Sequence, residues 1–265
     1  MKENAFGLFK DSIKLILDVL YPPKCIFCEK ILNVNKKTEP ICDVCLKHLP
    51  YCKNYICCKT CSVPIIKKNK FNLCDECLIY ERNFKKNISV FLYIGKIRKT
   101  ILRYKKMRKI FYSIFFAKLM SESVIEKYKN INFDYIVTVP IAKKKLIERG
   151  FDQIHEISKY MEKYLNIKYL KHALKKSNNT HSQKGLNYYQ RQISQAGKIK
   201  IKLPKKISNK TILIVDDVFT TGATIAECTK ILKLCGAQDV YCVSLARTVK
   251  NDKYFKIDYK NEFEN

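Results

Sequence analysis

Acidic residues, glycine, proline and long apolar runs are all scarce in this sequence. Asp and Glu number 24 against 52 Lys and Arg, a formal net charge of +28 at pH 7. That excess favours nucleic acid, anionic lipid heads or phosphorylated ligands as partners. A biased genome would also produce it, because Lys, Asn, Ile and Tyr are abundant while Gly and Pro number 7 each. No stretch approaches the ~18 apolar residues that a membrane span needs. Lys10, Asp11, Lys14 and Asp18 break every early apolar run before it reaches the length of an export signal. A reducing cytoplasm is the compartment expected.

A chain of 265 residues has room for an α/β domain and a smaller unit. Its 13 cysteines would suggest disulfides in a small secreted protein. Their distribution says otherwise. Ten fall between Cys25 and Cys77, mostly as CxxC pairs: Cys25 and Cys28, Cys42 and Cys45, Cys58 and Cys61, Cys74 and Cys77, separated by 13, 12 and 12 residues. A CxxC turn brings two thiolates to one metal, and two such knuckles complete a tetrahedral shell with no open position, so structural Zn2+ is expected. The segment has few large apolar residues, and zinc contributes on the order of 10 kcal/mol to modules of this kind. Sequential and interleaved pairings of the knuckles are both open. Cys52 and Cys57 are surplus.

The expected organisation is an amphipathic helix within residues 1–22, a double zinc ribbon over 23–86, an α/β domain over 87–250 and a polar tail over 251–265. Phe6, Phe9, Ile13, Ile16, Leu17 and Leu20 recur at helical spacing, which suits packing on the protein's own core or peripheral contact with a membrane or partner. A strand over Ser89–Ile94 precedes a basic helix, Gly95 to Lys109, with Arg98, Lys99, Arg103, Lys105, Lys106 and Arg108 on its charged side. That side is a solvated face or a phosphate or nucleic-acid groove, with Tyr93, Tyr104, Phe111 and Tyr112 nearby to stack bases or to fill the core. A core helix runs to Lys127, and strand and helix patterns then alternate. Asp134–Pro140 reads as a strand, Ile141–Gly150 as a loop, Asp152 as the N-cap of a helix to Tyr164, and Ile167–Leu170 as a short strand. Lys175–Gln195 is a polar loop or flap, of the length that is usually functional or disordered.

The most informative stretch follows. Ile212-Leu213-Ile214-Val215 is a buried strand that runs into Asp216-Asp217, then into Thr220-Thr221-Gly222-Ala223-Thr224, and then into a helix to Cys235 that Gly236 closes. In an open parallel sheet, ligands bind beyond the carboxyl ends of the strands, and a helix N-terminus there favours an anion. A last strand is expected over Asp239–Leu245.

Residues 212–224 resemble the phosphoribosyl pyrophosphate (PRPP) signature of type I phosphoribosyltransferases. Further motifs are similar to the ComF (GntX-like) family of competence-associated proteins: Tyr93-x-Gly95 with Arg98, Ile101, Tyr104 and Lys105; Arg149-Gly150-Phe151-Asp152-Gln153; Thr180, Gln183, Leu186 and Arg191; and Leu245-Ala246-Arg247. The chain departs from that pattern at Thr138, Lys145, Asp152 and Ser194, where the family usually shows Pro, a nearby Arg, Asn and Asn.

The resemblance implies a type I phosphoribosyltransferase-like α/β fold, a parallel sheet flanked by helices, preceded by a small four-cysteine zinc-ribbon domain. It implies that the Thr220–Thr224 turn holds the 5-phosphate and that Asp216 and Asp217 hold the ribose hydroxyls, directly or through Mg2+. The loop after Pro140 would then cradle pyrophosphate, with Lys143, Lys145 and Arg149 as catalytic candidates and Lys105 a further one. Thr180, Gln183 and Arg191 would belong to a flexible lid. No stretch specifies an acceptor. Two readings follow: a PRPP-binding protein that supports DNA uptake and natural transformation beside single-stranded DNA and helicase machinery, or an active transferase with an unidentified acceptor, unrelated to uptake.

Overall fold

The structure, a computed structural model, describes residues 22–33, 39–66, 69–107, 110–176 and 199–249. The expected N-terminal helix, the polar tail, Arg108, and the lid residues Thr180, Gln183 and Arg191 lie outside them. The chain divides into two compact units, one ending at Leu49 and the other beginning at Pro50.

The first unit is a zinc-ribbon module. Its knuckle turns at Cys25–Glu29, where Glu29 adopts φ 65° and donates its amide to the Cys25 carbonyl at 2.9 Å. Helix α1 (Asp43–His48) then starts on Cys42, whose sulfur accepts from the Cys45 amide. Ile26, Phe27, Leu32, Ile41 and Leu49 are buried around the cysteines.

The second unit repeats that build before its sheet begins. Ser62 takes the left-handed conformation (φ 60°) four residues after Cys58, as Glu29 does after Cys25. Helix α2 (Asp75–Ile79) starts on Cys74 as N-cap. Cys58 and Cys61 are buried in one cluster with Phe84, Phe219, Ile225 and Cys228, so this ribbon shares the core of the α/β layer.

A five-stranded, fully parallel sheet follows, built from β1 (Lys86–Leu92), β2 (Tyr135–Thr138), β3 (Lys168–Tyr169), β6 (Thr211–Phe219) and β7 (Asp239–Arg247), in the order β1-β7-β6-β2-β3. Ile212, Leu213, Ile214 and Val215 are fully buried, which explains their uninterrupted apolar run: a central parallel strand is covered on both faces. Helices α3 (Gly95–Lys106) and α4 (Ile110–Lys127) link β1 to β2. Helices α5 (Lys143–Arg149) and α6 (Gln153–Leu165) link β2 to β3, and α7 (Ala223–Leu234) links β6 to β7. Strands β4 (Leu174–Lys176) and β5 (Ile199–Ile201) pair antiparallel at the two ends of the polar segment.

Two expectations change, and one open alternative closes. The segment after Pro140 contains helix α5, closed by Gly150 at φ 72°. Strand β6 does not stop at Val215, because β7 keeps pairing with it as far as Phe219↔Arg247. Tyr104 and Tyr112 are core aromatics with parallel rings 5.6 Å apart, so neither is available to stack a base.

Candidate ribose-phosphate pocket and zinc centres

The zinc question is answered first by sulfur positions. A tetrahedral shell with Zn–S of about 2.3 Å places ligand sulfurs about 3.8 Å apart. Cys28 and Cys42 lie 3.6 Å apart, as do Cys61 and Cys74. The sulfurs of Cys25, Cys28, Cys42 and Cys45 all fall within 4.8 Å of one another, and so do those of Cys58, Cys61, Cys74 and Cys77. Pairing is therefore sequential, and each quartet fits a structural Zn2+. In the first quartet one sulfur, and in the second two, Cys58 and Cys61, are held toward the thiolate by their neighbours. Cys25 is brought down to about 4 by the Cys45 thiol, and Cys58 is held far below the usual thiol range by Cys61, Cys74 and Cys77.

The second feature is a cavity of about 690 Å³ beyond the carboxyl ends of β2 and β6. The acidic pair reaches it from the end of β6, Thr220 and Thr221 from the turn, and Ala223 and Thr224 from the first turn of α7. Gly222 makes the turn possible. It is the N-cap of α7 at φ 79°, and a Cβ there would lie 2.4 Å from Cζ of Phe219. The lining also carries five cations, Lys144, Lys145 and Arg149 from α5, Lys105 from α3 and Lys176 from β4, together with the acidic Glu148 and Asp152. Lys143 is not among the lining residues, whereas Lys144, a lysine of the same segment that was not a catalytic candidate, is.

The electrostatics are concentrated on the two aspartates. Lys105 Nζ lies 2.5 Å from Asp217 Oδ2. Asp216 is pushed up to about 8 by burial and by the charge of Asp217, against the Asp217 amide that donates to it at 2.8 Å. Asp152 caps α6 by accepting from the amides of Ile154 and His155 at 3.1 and 3.2 Å, and burial raises its carboxyl. Arg149, at the end of α5, donates to Gln153 Oε1 at the start of α6 at 3.1 Å.

Two buried arginines stand behind the turn. Arg247 donates to the carbonyls of Phe219, at 3.1 Å, and of Thr220, and its guanidinium sits 4.9 Å from the centre of the Phe219 ring. Arg82 donates to the Thr221 carbonyl at 2.8 Å. Sequence reasoning noted Arg247 within Leu245-Ala246-Arg247 without giving it a task, and nothing local marked Arg82.

Fold and site together define a phosphoribosyltransferase-type α/β protein carrying zinc ribbons. The pattern of the phosphoribosyl transferase domain matches residues 119–263, over half of the chain, and the double zinc ribbon domain matches residues 16–78. The chain belongs to the phosphoribosyl transferase domain family. It is similar to competence protein F of Haemophilus influenzae, 25% identical over 228 residues that cover 84% of this chain and 96% of the relative. DNA utilization protein YhgH of Escherichia coli is 25% identical over 79% of this chain and 91% of its own length. Competence protein ComFC of Streptococcus pneumoniae is 28% identical over 66% and 74%. The resemblance to the ComF family noted in the sequence thus extends along most of the chain. Among the described residues no helix is long and apolar enough to cross a membrane.

Proposed function

We propose that this protein binds PRPP in the cavity at the end of β6 and supports DNA uptake in a reducing cytoplasm. The observation that carries the PRPP reading is the coincidence, in one cavity, of an acidic pair, the threonines of a turn that opens a helix, and five lysine and arginine side chains. The amides of Thr220–Thr224 and the hydroxyls of Thr220, Thr221 and Thr224 suit the 5-phosphate. Asp216 and Asp217 accept from the ribose hydroxyls. Lys144, Lys145 and Arg149 face the place where the diphosphate would lie, with Lys143 at the start of the same helix. Hard carboxylate oxygens fit Mg2+. When present with PRPP it would be held at Asp216 and Asp217 and would supply neutralising charge, a task that Lys105 performs toward Asp217 in this structure. The uptake role draws on the relatives from Haemophilus influenzae and Streptococcus pneumoniae, which are named as competence proteins.

A second reading, true transfer of ribose 5-phosphate to an acceptor, is favoured by those same cations. Cleavage at the anomeric carbon releases pyrophosphate, and cations fixed at the leaving group stabilise the charge that develops there. The two readings separate in one assay. Mg2+ and PRPP are titrated into the wild type and into Asp216→Asn/Asp217→Asn, and pyrophosphate release is followed with candidate acceptors. Binding that the double variant abolishes supports the site. Release that it also abolishes supports turnover, and binding without release for every acceptor leaves a binding module. No binding by the wild type ends both.

A further inference from the structure

We propose that Arg82 and Arg247 are positioning residues that fasten the ribose-phosphate turn to the second four-cysteine module, so that the turn keeps its binding shape only while that module holds its metal. The inference rests on the PRPP reading for the identity of the ligand, and on hydrogen bonds alone for the coupling.

In a turn that offers successive amides to an anion, the peptide carbonyls point the opposite way and need partners of their own. Here the partners are arginines. Phe219 and Thr220 give their carbonyls to Arg247, and Thr221 gives its carbonyl to Arg82. Both side chains are buried, at 4% and 8% exposure, so neither can trade these bonds freely for water.

Each arginine has its other end on the zinc ribbon. Arg247 Nε donates to the Cys61 carbonyl at 3.1 Å, and its Nη2 lies 3.9 Å from the Cys61 sulfur. Arg82 pairs with Glu76 at 3.4 Å, and Glu76 sits on α2 between Cys74 and Cys77. Thus one arginine grips each of the two knuckles. The Cys58–Cys61 knuckle is itself tied to the edge of the sheet, because Asn87 donates its amide to the Thr60 carbonyl at 2.8 Å and Ser62 donates its hydroxyl to the Asn87 carbonyl at 2.7 Å. Phe219 completes the link, packing edge-on against Phe84 with 5.9 Å between ring centres while its carbonyl is held by Arg247. A metal that fixes the four sulfurs fixes the backbone of Cys61 and the start of α2, and through them the carbonyl side of the turn. The guanidinium fork is what allows one side chain to serve both ends, and a lysine cannot replace it.

The test uses the full-length chain and two conservative variants, Arg247→Lys and Arg82→Lys. Three quantities are read: zinc content, hydrogen–deuterium exchange over residues 219–224, and affinity for PRPP with Mg2+. The expected result for each variant is unchanged zinc, faster exchange across the turn, and affinity reduced about tenfold or more. Cys77→Ser, which weakens the second quartet, is expected to speed exchange over the same residues with both arginines in place. Exchange over 219–224 that stays at the wild-type rate in Arg247→Lys and in Cys77→Ser overturns the proposal. If Arg247→Lys does not fold, Arg82→Lys decides by the same readings, since it removes a single carbonyl contact. A wild type that fails to bind PRPP defeats the functional reading, while the exchange rates still decide the coupling.

Discussion

Lys105, on the helix after the first strand, places its ammonium 2.5 Å from the carboxylate of Asp217 at the end of the fourth strand of the five-stranded sheet in chain order. The pair neutralises one member of the acidic dyad. The carboxyl of the other, Asp216, is raised to about 8 by desolvation and by the neighbouring Asp217 carboxylate.

Binding of Mg2+ and PRPP at the proposed site would be proton-linked in this arrangement. Ligands that need the Asp216 carboxylate must displace its proton, so affinity should rise with pH up to about 8. Titration calorimetry in buffers of different ionisation heat should show proton release near pH 7, and Asp216→Asn should abolish it. Affinity that stays flat from pH 6 to 8.5 rules out this role for Asp216.

Stability of the ligand-free protein should move the other way. The folded carboxyl is raised from its ordinary value of 3.8 to about 8. Its contribution is therefore full below about pH 4 and is lost as pH rises through 8. Between pH 6 and 9 the melting temperature of the wild type should fall, and that of Asp216→Asn should fall less. Parallel curves for the two proteins would remove Asp216 as the cause.

Gly222→Ala should damage the turn directly. Its φ of 79° is unfavourable for any side chain, and the new Cβ would meet the Phe219 ring at 2.4 Å. The combined strain should cost about 1–3 kcal/mol. Denaturant unfolding measures that cost, and PRPP affinity should fall in the same protein.

Metal analysis should find two Zn2+ per chain, one for each quartet. Cys42→Ser and Cys74→Ser should each retain about one. Chelation of both should lower thermal stability sharply, given metal contributions on the order of 10 kcal/mol for such modules. A reduced, fully folded protein without zinc would refute the assignment.

Single-stranded DNA binding, if it uses the exposed side of the basic helix, should weaken steeply as salt rises. Arg98 and Lys106 are exposed there, while Ile97, Ile101 and Tyr104 are buried. Neutralising Arg98, Arg103 and Arg108 should lower both the affinity and the salt slope. Unchanged binding would make this a solvated face.

Much of the fold was legible because its signals are local. The apolar run Ile212–Val215 marks a strand covered on both faces, Asp152 caps its helix as its side chain suggests, and CxxC spacing is itself the geometry of a zinc knuckle. The acidic pair and the Thr-Thr-Gly turn are contiguous, so the candidate pocket could be named from sequence. Helix α5 was not expected because its seven residues, crowded with lysines, bury no residue and so carry no amphipathic pattern.

The remaining features depend on strand order and on contacts between distant segments, which spacing along the chain does not encode. Sequence alone determined that four CxxC knuckles would supply two four-cysteine sets and that residues 212–224 would run from a buried strand through a turn into a helix, because each rests on residues within one short stretch. Tertiary structure decided which knuckles pair, that Lys105 reaches Asp217 while Lys143 lies outside the cavity lining, and that Arg82 and Arg247 join the turn to the second ribbon. The central sheet brings the ends of its strands together on one side, and only that closure places the arginine forks between a zinc knuckle and the carbonyls they hold.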